Sequence, residues 1–335
     1  MTKEQIDQLL ADISRHSQDA TRLIETHISW VLAGNEFVYK IKKPVHYSFL
    51  DFSTMEQRKY YCEQEVILNK RLTEHIYLGV VTINKLSERY FIDTDEGEVI
   101  DYAVKMLKVD TNLQMDILLS NNKVSTDNIK QLAEKITHFH KYTTKIYDVN
   151  PLELQIQFND LGNETVFLRE KIGAADCAII DQSISISNHF IQNNGPLLIK
   201  RVQLGYFRDC HGDLHTRNIF LLPSPQPFDC IEFNDSFRQI DILNEIAFLC
   251  MDLDALGRHD LSDMFVHCYN EISPVIKSRE EQMLFIYYKA YRANVRAKVN
   301  SLRAASINDE ASQNDYLQQT VKYLHLMENY LKLTL

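Results

Sequence analysis

A chain of 335 residues that is 45% hydrophobic and 24% charged can bury a large core and has the composition of an ordinary globular protein, at a length that suggests two domains or a bilobal one. Its formal net charge of −10 is spread along the chain, so a broad basic footprint for nucleic acid is excluded and no nucleic-acid partner is expected. No run is long and apolar enough to span a bilayer, Met1 to Leu10 is polar rather than a signal-peptide core, and the cysteines at 62, 177, 210, 230, 250 and 268 form no C-x-x-C. Buried reduced thiols, a cytoplasmic setting and no membrane partner are expected.

Ile6, Leu9, Leu10 and Ile13 recur at helical spacing and predict an opening amphipathic helix. Ile24 to Leu32 and Glu36 to Lys43 read as extended segments separated by the turn Gly34-Asn35, and strand alternation puts Lys40 and Lys42 on one face of the second. Taken alone, that K-x-K-K run suits a solvated edge strand as well as a tethered charge. Ser53-Thr54-Met55-Glu56 reads as a capping box that opens a helix running to about Leu72. Of its acids Glu63 and Glu65, the spacing to Leu68 and Leu72 puts Glu65 at the edge of the buried stripe. Three β-like segments follow, Tyr77 to Asn84, Arg89 to Thr94 and Glu98 to Met106. Together with the two upstream segments they make five strands with one helix inserted.

From Asp110 the pattern is helical. Thr126-Asp127 is expected to cap a helix with Ile129, Leu132, Ala133, Ile136 and Phe139 on one face, and His138 and His140 near its end read as surface or hydrogen-bonded histidines. Asp160, Glu164 and Glu170 are expected on solvated helix faces, with a substrate contact as the alternative. Helices are expected over 259 to 272, 278 to 304 and 311 to 333, with Arg292, Arg296 and Arg303 in line on the middle one as an exposed basic stripe or, in the minority reading, as anion contacts.

Between these lies the stretch that organises the chain, Cys210-His211-Gly212-Asp213-Leu214-His215-Thr216-Arg217-Asn218, closed by the apolar run Ile219 to Leu222. Pro223 to Pro227 reads as a turn and Phe228 to Phe233 as a second short strand carrying Asp229 and Glu232. An acid and an amide five residues apart in a loop, with more acids on the returning strand, can supply a general base and the hard oxygen ligands magnesium prefers. Asp229 and Asp235 are fallback ligands, although strand alternation turns Asp229 elsewhere.

His211-Gly212-Asp213-Leu214-His215 with Asn218 resembles the H-G-D-[LV]-[HG]-x-x-N catalytic loop of the aminoglycoside-phosphotransferase-like small-molecule kinases, which share the protein-kinase fold. Phe37 to Pro44 with Phe49 to Thr54, and Asp229 to Asp235, are similar to a bacterial subgroup of that family, many of whose members carry an additional C-terminal P-loop domain. The similarity runs from about Ile24 to Leu253. It implies an α+β, bilobal protein-kinase-like fold: a small N-lobe over residues 1–106, with an antiparallel five-stranded sheet and one helix, and a larger, mostly helical C-lobe over 107–335.

The resemblance also implies ATP and Mg2+ as cofactors. Lys40, with Lys42 as the alternate, would hold the α- and β-phosphates and Glu65 would fix that lysine. Glu25 to Ser29 stands in the place of the phosphate-covering loop but has no glycine; its amides and the Thr26 and Ser29 hydroxyls bind phosphate, or are ordinary strand polar groups. Met106 falls at the hinge expected to meet adenine through backbone groups. Asp213 would accept or orient the proton of an acceptor hydroxyl, Asn218 and Glu232 would bind magnesium, and His211 and His215 would shape the loop. Phe237 to Phe248 resembles the family's D-x-x-x-D-[IL]-A segment, in which Asp241 and Glu245 would brace the loop; Glu245 and Glu232 each stand where aspartate is usual. The glycines cannot make G-x-x-x-x-G-K-[ST], so the P-loop domain is not expected.

The activity expected is ATP- and Mg-dependent transfer of phosphate to a hydroxyl of a small molecule. One rival is a metal-dependent phosphoesterase using His211, Asp213 and His215, with no G-N-H-[DE] to complete it. The other is a catalytically inactive nucleotide-binding protein, which the glycine-free loop and Glu232 permit.

Overall fold

A computed structural model describes residues 1–16, 21–47 and 49–335. The chain packs as two compact units, Met1–Asn122 with Arg217–Arg238, and Lys123–Thr216 with Gln239–Leu335. Among the described residues no helix is long and apolar enough to cross a membrane.

The first unit is built on an antiparallel sheet of six strands in the order Arg22–Glu25, Ser29–Ala33, Phe37–Lys42, Glu98–Leu107, Tyr77–Leu86 and Arg89–Ile92. Five strands are expected from the sequence; the sixth arises because Ile24 to Leu32 is not one extended run. It folds into a hairpin, Glu25 opposite Trp30, whose turn is closed by Thr26 N–H to Ser29 O at 2.9 Å and by the Ser29 N–H to the Thr26 hydroxyl at 2.9 Å. Side chains alternate across the sheet. Trp30, Leu32, Ile41, Ile83 and Ala103 pack on one face with Ile6 and Leu9 of the helix Lys3–His16. The opposite face takes the helix Met55–Asn69, whose Cys62 and Val66 meet Tyr77, Val104 and Phe220. Lys40 and Lys42 flank Ile41 and therefore point to the helix side.

That helix is capped by Thr54, which accepts from Gln57 N–H, and not by Ser53; it ends at Asn69, three residues short of the expected Leu72, in a tightened turn from Asn69 O to Leu72 N–H. Phe228 to Phe233 is not a strand. The returning strand is Pro225–Pro227, inside the stretch expected as a turn and paired with Ile219–Leu221, and Asp229 then takes a left-handed φ of 62°, which breaks the extended run.

The second unit is helical. Its helices include Thr126–Tyr142, Ala174–Gln203, Ile242–Ala255, His259–Ile272, Arg279–Ser306 and Glu310–Lys332. The first of these starts one residue earlier than expected, because Ser125 and Asn128 form the reciprocal cap. Ile242–Ala255 is buried on every side from Ile242 to Asp254, the pattern of a helix enclosed by its neighbours. The short strands Phe207–Asp209 and Gln239–Asp241 pair beside it and deliver the loop that follows Asp209 to its first turn.

Burial overturns three further expectations. Arg292 and Arg296 are not an exposed stripe: they are 5% and 9% exposed. Glu164 accepts from the Ser301 hydroxyl at 2.9 Å and so braces a helix, whereas Asp160, paired with Lys298, keeps 44% of its side chain exposed, and Glu170 is exposed. Asp241 does not brace the loop. It caps Ile242–Ala255 through Leu243 N–H and grips the Arg201 guanidinium with both oxygens at 2.6 and 2.9 Å, while Arg201 also reaches Glu281 at 2.9 Å. Arg201 has no solvent access, so removing it strands buried carboxylate charge. Arg201→Met is expected to cost about 3–5 kcal/mol of unfolding free energy, read from urea denaturation midpoints against the parent.

Candidate active site

Two sets of candidate side chains are fixed, one in each unit. In the first unit the centre is Glu65, fully buried on the helix Met55–Asn69. One of its oxygens lies 2.8 Å from Lys40 Nζ and the other 2.7 Å from Lys42 Nζ. Lys40 also reaches Asp229 at 2.6 Å, and Lys42 is in a short ion pair with Glu232. The two lysines offered as alternatives thus share one glutamate, and the expected metal acid Glu232 and the fallback Asp229 are tied to them, while Asp235, the other fallback, pairs with Arg238 at 2.7 Å. Burial works against the Glu65 charge, and Lys40 and Lys42 overcome it, holding its carboxyl at about 2 instead of the usual 4.5. For Glu232 burial wins despite Lys42, and its carboxyl is pushed up.

Asn218 ends the short helical turn Thr216–Asn218, directly before the apolar strand Ile219–Leu221, and is 7% exposed. Its main-chain oxygen accepts from Phe228 N–H at 2.9 Å, which sets it beside the residue preceding Asp229. The Thr26 hydroxyl is spent within its own turn, donating to Ser29 O at 3.0 Å; the Ser29 hydroxyl is buried with no hydrogen-bond partner among the described residues. Met106 pairs with Val38 and Tyr77 in the sheet, and the amides just after it are bonded, Leu107 to Ile76 O and Lys108 to Glu36 O, each at 2.8 Å.

In the second unit the loop from His211 to Thr216 is held at three points. Glu245 accepts from the N–H groups of His211 at 2.6 Å and Gly212 at 2.9 Å, the bracing that the resemblance implies for this residue. Arg292 donates to Gly212 O at 3.1 Å and to Asn244 Oδ1 at 2.7 Å. Asp252 accepts from Thr216 N–H at 2.9 Å and from its hydroxyl at 2.6 Å. Gly212 sits at φ 85°, where a side chain would be strained. Asp213, on this fixed frame, has 35% of its side chain open to solvent and lies 3.3 Å from His215 Nε2; its own N–H donates to His211 Nδ1 at 3.3 Å. Burial opposes its ionisation, and His215, Arg296 and His211 overcome it, holding the carboxyl far below the ordinary range.

Sequence reasoning missed Asp252 and misplaced Arg292 and Arg296. Asp252 lies seven residues after Glu245, two helical turns along the same face, and that spacing was the available signal. Arg292 and Arg296 are four apart on a helix whose burial no local pattern reveals. Asp229 was turned away by a strand that does not exist. His140 is buried, its Nδ1 2.7 Å from the Tyr269 hydroxyl and its Nε2 without a hydrogen-bond partner among the described residues.

Magnesium fits the donors of the first unit, because Asn218, Asp229 and Glu232 offer an amide and carboxylate oxygens, the hard ligands it prefers. His211, Asp213 and His215 do not form a metal group, and by the same measure neither do Glu65, Asp229 and Glu232. Among the described residues the set of His, Cys and acid atoms lying within 4.8 Å of one another is His140, Cys210 and Glu245, and the Glu245 oxygens are already taken by backbone N–H groups.

No protein-family model matches the chain. Uncharacterized proteins of Mycobacterium tuberculosis and Mycobacterium bovis are 28% identical over 318 residues, covering 93% of this chain; the chain spans 61% of the length of these curated relatives. Among solved structures, choline kinase from Cryptosporidium parvum matches with a TM-score of 0.56 at 11% identity, over 94% of this chain and 90% of its own. A thermostable mutant of an aminoglycoside phosphotransferase matches with 0.54 at 8% identity, over 97% and 98%. The chain therefore has the α+β, protein-kinase-like fold of the aminoglycoside phosphotransferases and choline kinases.

A carboxyl held at about 2 in the folded protein contributes stability that is present above its unfolded value and is lost as pH falls toward the folded one. Stability is therefore expected to fall as pH drops from about 4.5 toward 2; Glu232, whose carboxyl is raised, acts in the opposite sense and at pH above about 4.5. Glu65→Gln should flatten that acid limb, measured as urea midpoints at stepped pH; an unchanged slope would count against the pairing.

Proposed function

We propose that this protein is a phosphotransferase that moves the γ-phosphoryl group of ATP, with Mg2+, to a hydroxyl of a small molecule. The observation that carries this reading is the pairing of Lys40 with the buried Glu65, which fixes an ammonium on a strand of the sheet unit, the kind of charge that meets phosphate oxygens. The kinase-like fold supports it but is a weaker warrant, since one fold hosts many functions.

In this reading Asp213 takes or orients the proton of the acceptor hydroxyl. It is suited to that role by being ionised, partly open and held on a backbone whose N–H and C=O groups are bonded on either side. His215 steers the carboxylate through its contact with Asp213, and His211 fills the loop behind it. Asn218 and Glu232 hold the metal, which when bound neutralises charge on the phosphate oxygens. Lys40 adds a second positive charge there. The base and the metal amide are five residues apart in the sequence.

Asp213→Asn keeps size and hydrogen bonding but removes the base. ATP consumption across a panel of hydroxylated metabolites and aminoglycosides is expected to fall about 10²- to 10⁴-fold in this variant on any acceptor the parent uses. Nucleotide affinity, followed with a fluorescent ATP analogue, should stay within a few-fold. A parent protein that binds no nucleotide and stays silent across the panel would sink the proposal.

A further inference from the structure

Asp229 differs from the other acids of its cluster. Its side chain is 45% exposed, against 0% for Glu65 and 4% for Glu232. The backbone around it is fixed at three consecutive amides: Phe228 N–H to Asn218 O at 2.9 Å, Asp229 N–H to the Tyr77 hydroxyl at 3.2 Å, and Cys230 N–H to Asn69 Oδ1 at 2.9 Å. The left-handed turn at Asp229 therefore presents its carboxylate to Lys40 on a rigid mount.

The charges do not balance. Lys40 and Lys42 face Glu65, Glu232 and Asp229, two cations against three carboxylates. Lys42 is enclosed between Glu65 and Glu232 and keeps both in place without Lys40. Lys40 Nζ is held between Glu65 and Asp229, at 2.8 and 2.6 Å, so its ammonium is already engaged by two carboxylates and a phosphate brought to it would meet the Asp229 charge. A divalent cation on Asp229 removes both obstacles.

We propose that Asp229 is a further ligand of the divalent cation, beside Asn218 and Glu232, and that its carboxylate, once committed to the cation, releases the Lys40 ammonium to the nucleotide phosphates. The inference rests on the phosphotransferase reading and adds to it a residue and an order of events. Metal and nucleotide are coupled through Lys40: nucleotide alone binds weakly because the lysine is occupied, and each ligand strengthens the other by the same factor.

The test uses the full chain with Mn2+ as the probe. Free Mn2+ is titrated by electron paramagnetic resonance, and a fluorescent ATP analogue is titrated with and without metal, on the parent, Asp229→Asn and Asp229→Ser, with circular dichroism melts to establish folding. Both variants are expected to bind Mn2+ about tenfold more weakly or worse. They should also bind the nucleotide better than the parent when metal is chelated, so that the metal dependence of nucleotide affinity shrinks toward one. Mn2+ affinity within twofold of the parent in both folded variants overturns the ligand assignment. Unchanged metal-free nucleotide affinity overturns the release of Lys40. If the parent takes up Mn2+ through Asp229 yet binds no nucleotide under any condition, the phosphotransferase reading falls while the ligand assignment stands.

Discussion

Glu65 is a carboxylate with no access to water, and most of the first unit's active groups are where they are because that charge must be met. An isolated buried carboxylate is far less stable than a solvated one, so the site survives only with cations beside it. The strand Phe37–Lys42 supplies two, because a period of two turns Lys40 and Lys42 to the helix side while Ile41 enters the opposite core. Each lysine in turn draws in a carboxylate from the segment after the Pro225–Pro227 strand. Helix, strand and return segment are thereby joined by one network of alternating charge, with Asp229 as its open end.

The second unit solves a different problem by similar means. The loop that carries Asp213 must keep its backbone polar groups bonded without regular secondary structure, and side chains of two helices provide the partners. Glu245 and Asp252 take N–H groups at the two ends of the loop, while Arg292 gives to a carbonyl between them. Their burial makes these bonds costly to leave unmade, which keeps the loop in one conformation. Arg296 and the flanking histidines add the positive potential that keeps Asp213 ionised. Glu245 shows that the longer glutamate can do the bracing expected of an aspartate at that position.

Much was legible in local pattern. Helical spacing of Ile6 and Leu9, the runs that became the sheet and the face of the helix Thr126–Tyr142 are all consequences of residue order with periods of 2 and 3.6, and they stand in the structure. Caps were read one residue off at Thr54 and at Ser125, because several neighbouring Ser, Thr and Asp side chains could each have bonded the first turn. The extra strand was hidden because the Thr26 to Ser29 turn has no glycine or proline to announce it.

What the sequence by itself determined, then, was the loop of Asp213 and Asn218, the shared face of Lys40 and Lys42, and the helix edge of Glu65, all set by spacing along a few turns of chain. Only the tertiary structure decided which lysine meets which acid, that Asp229 faces Lys40 and that Arg292 and Arg296 are inside. Those choices depend on packing between segments 23 to 190 residues apart, and on the cost of leaving a charge unpaired away from water, which no local period records.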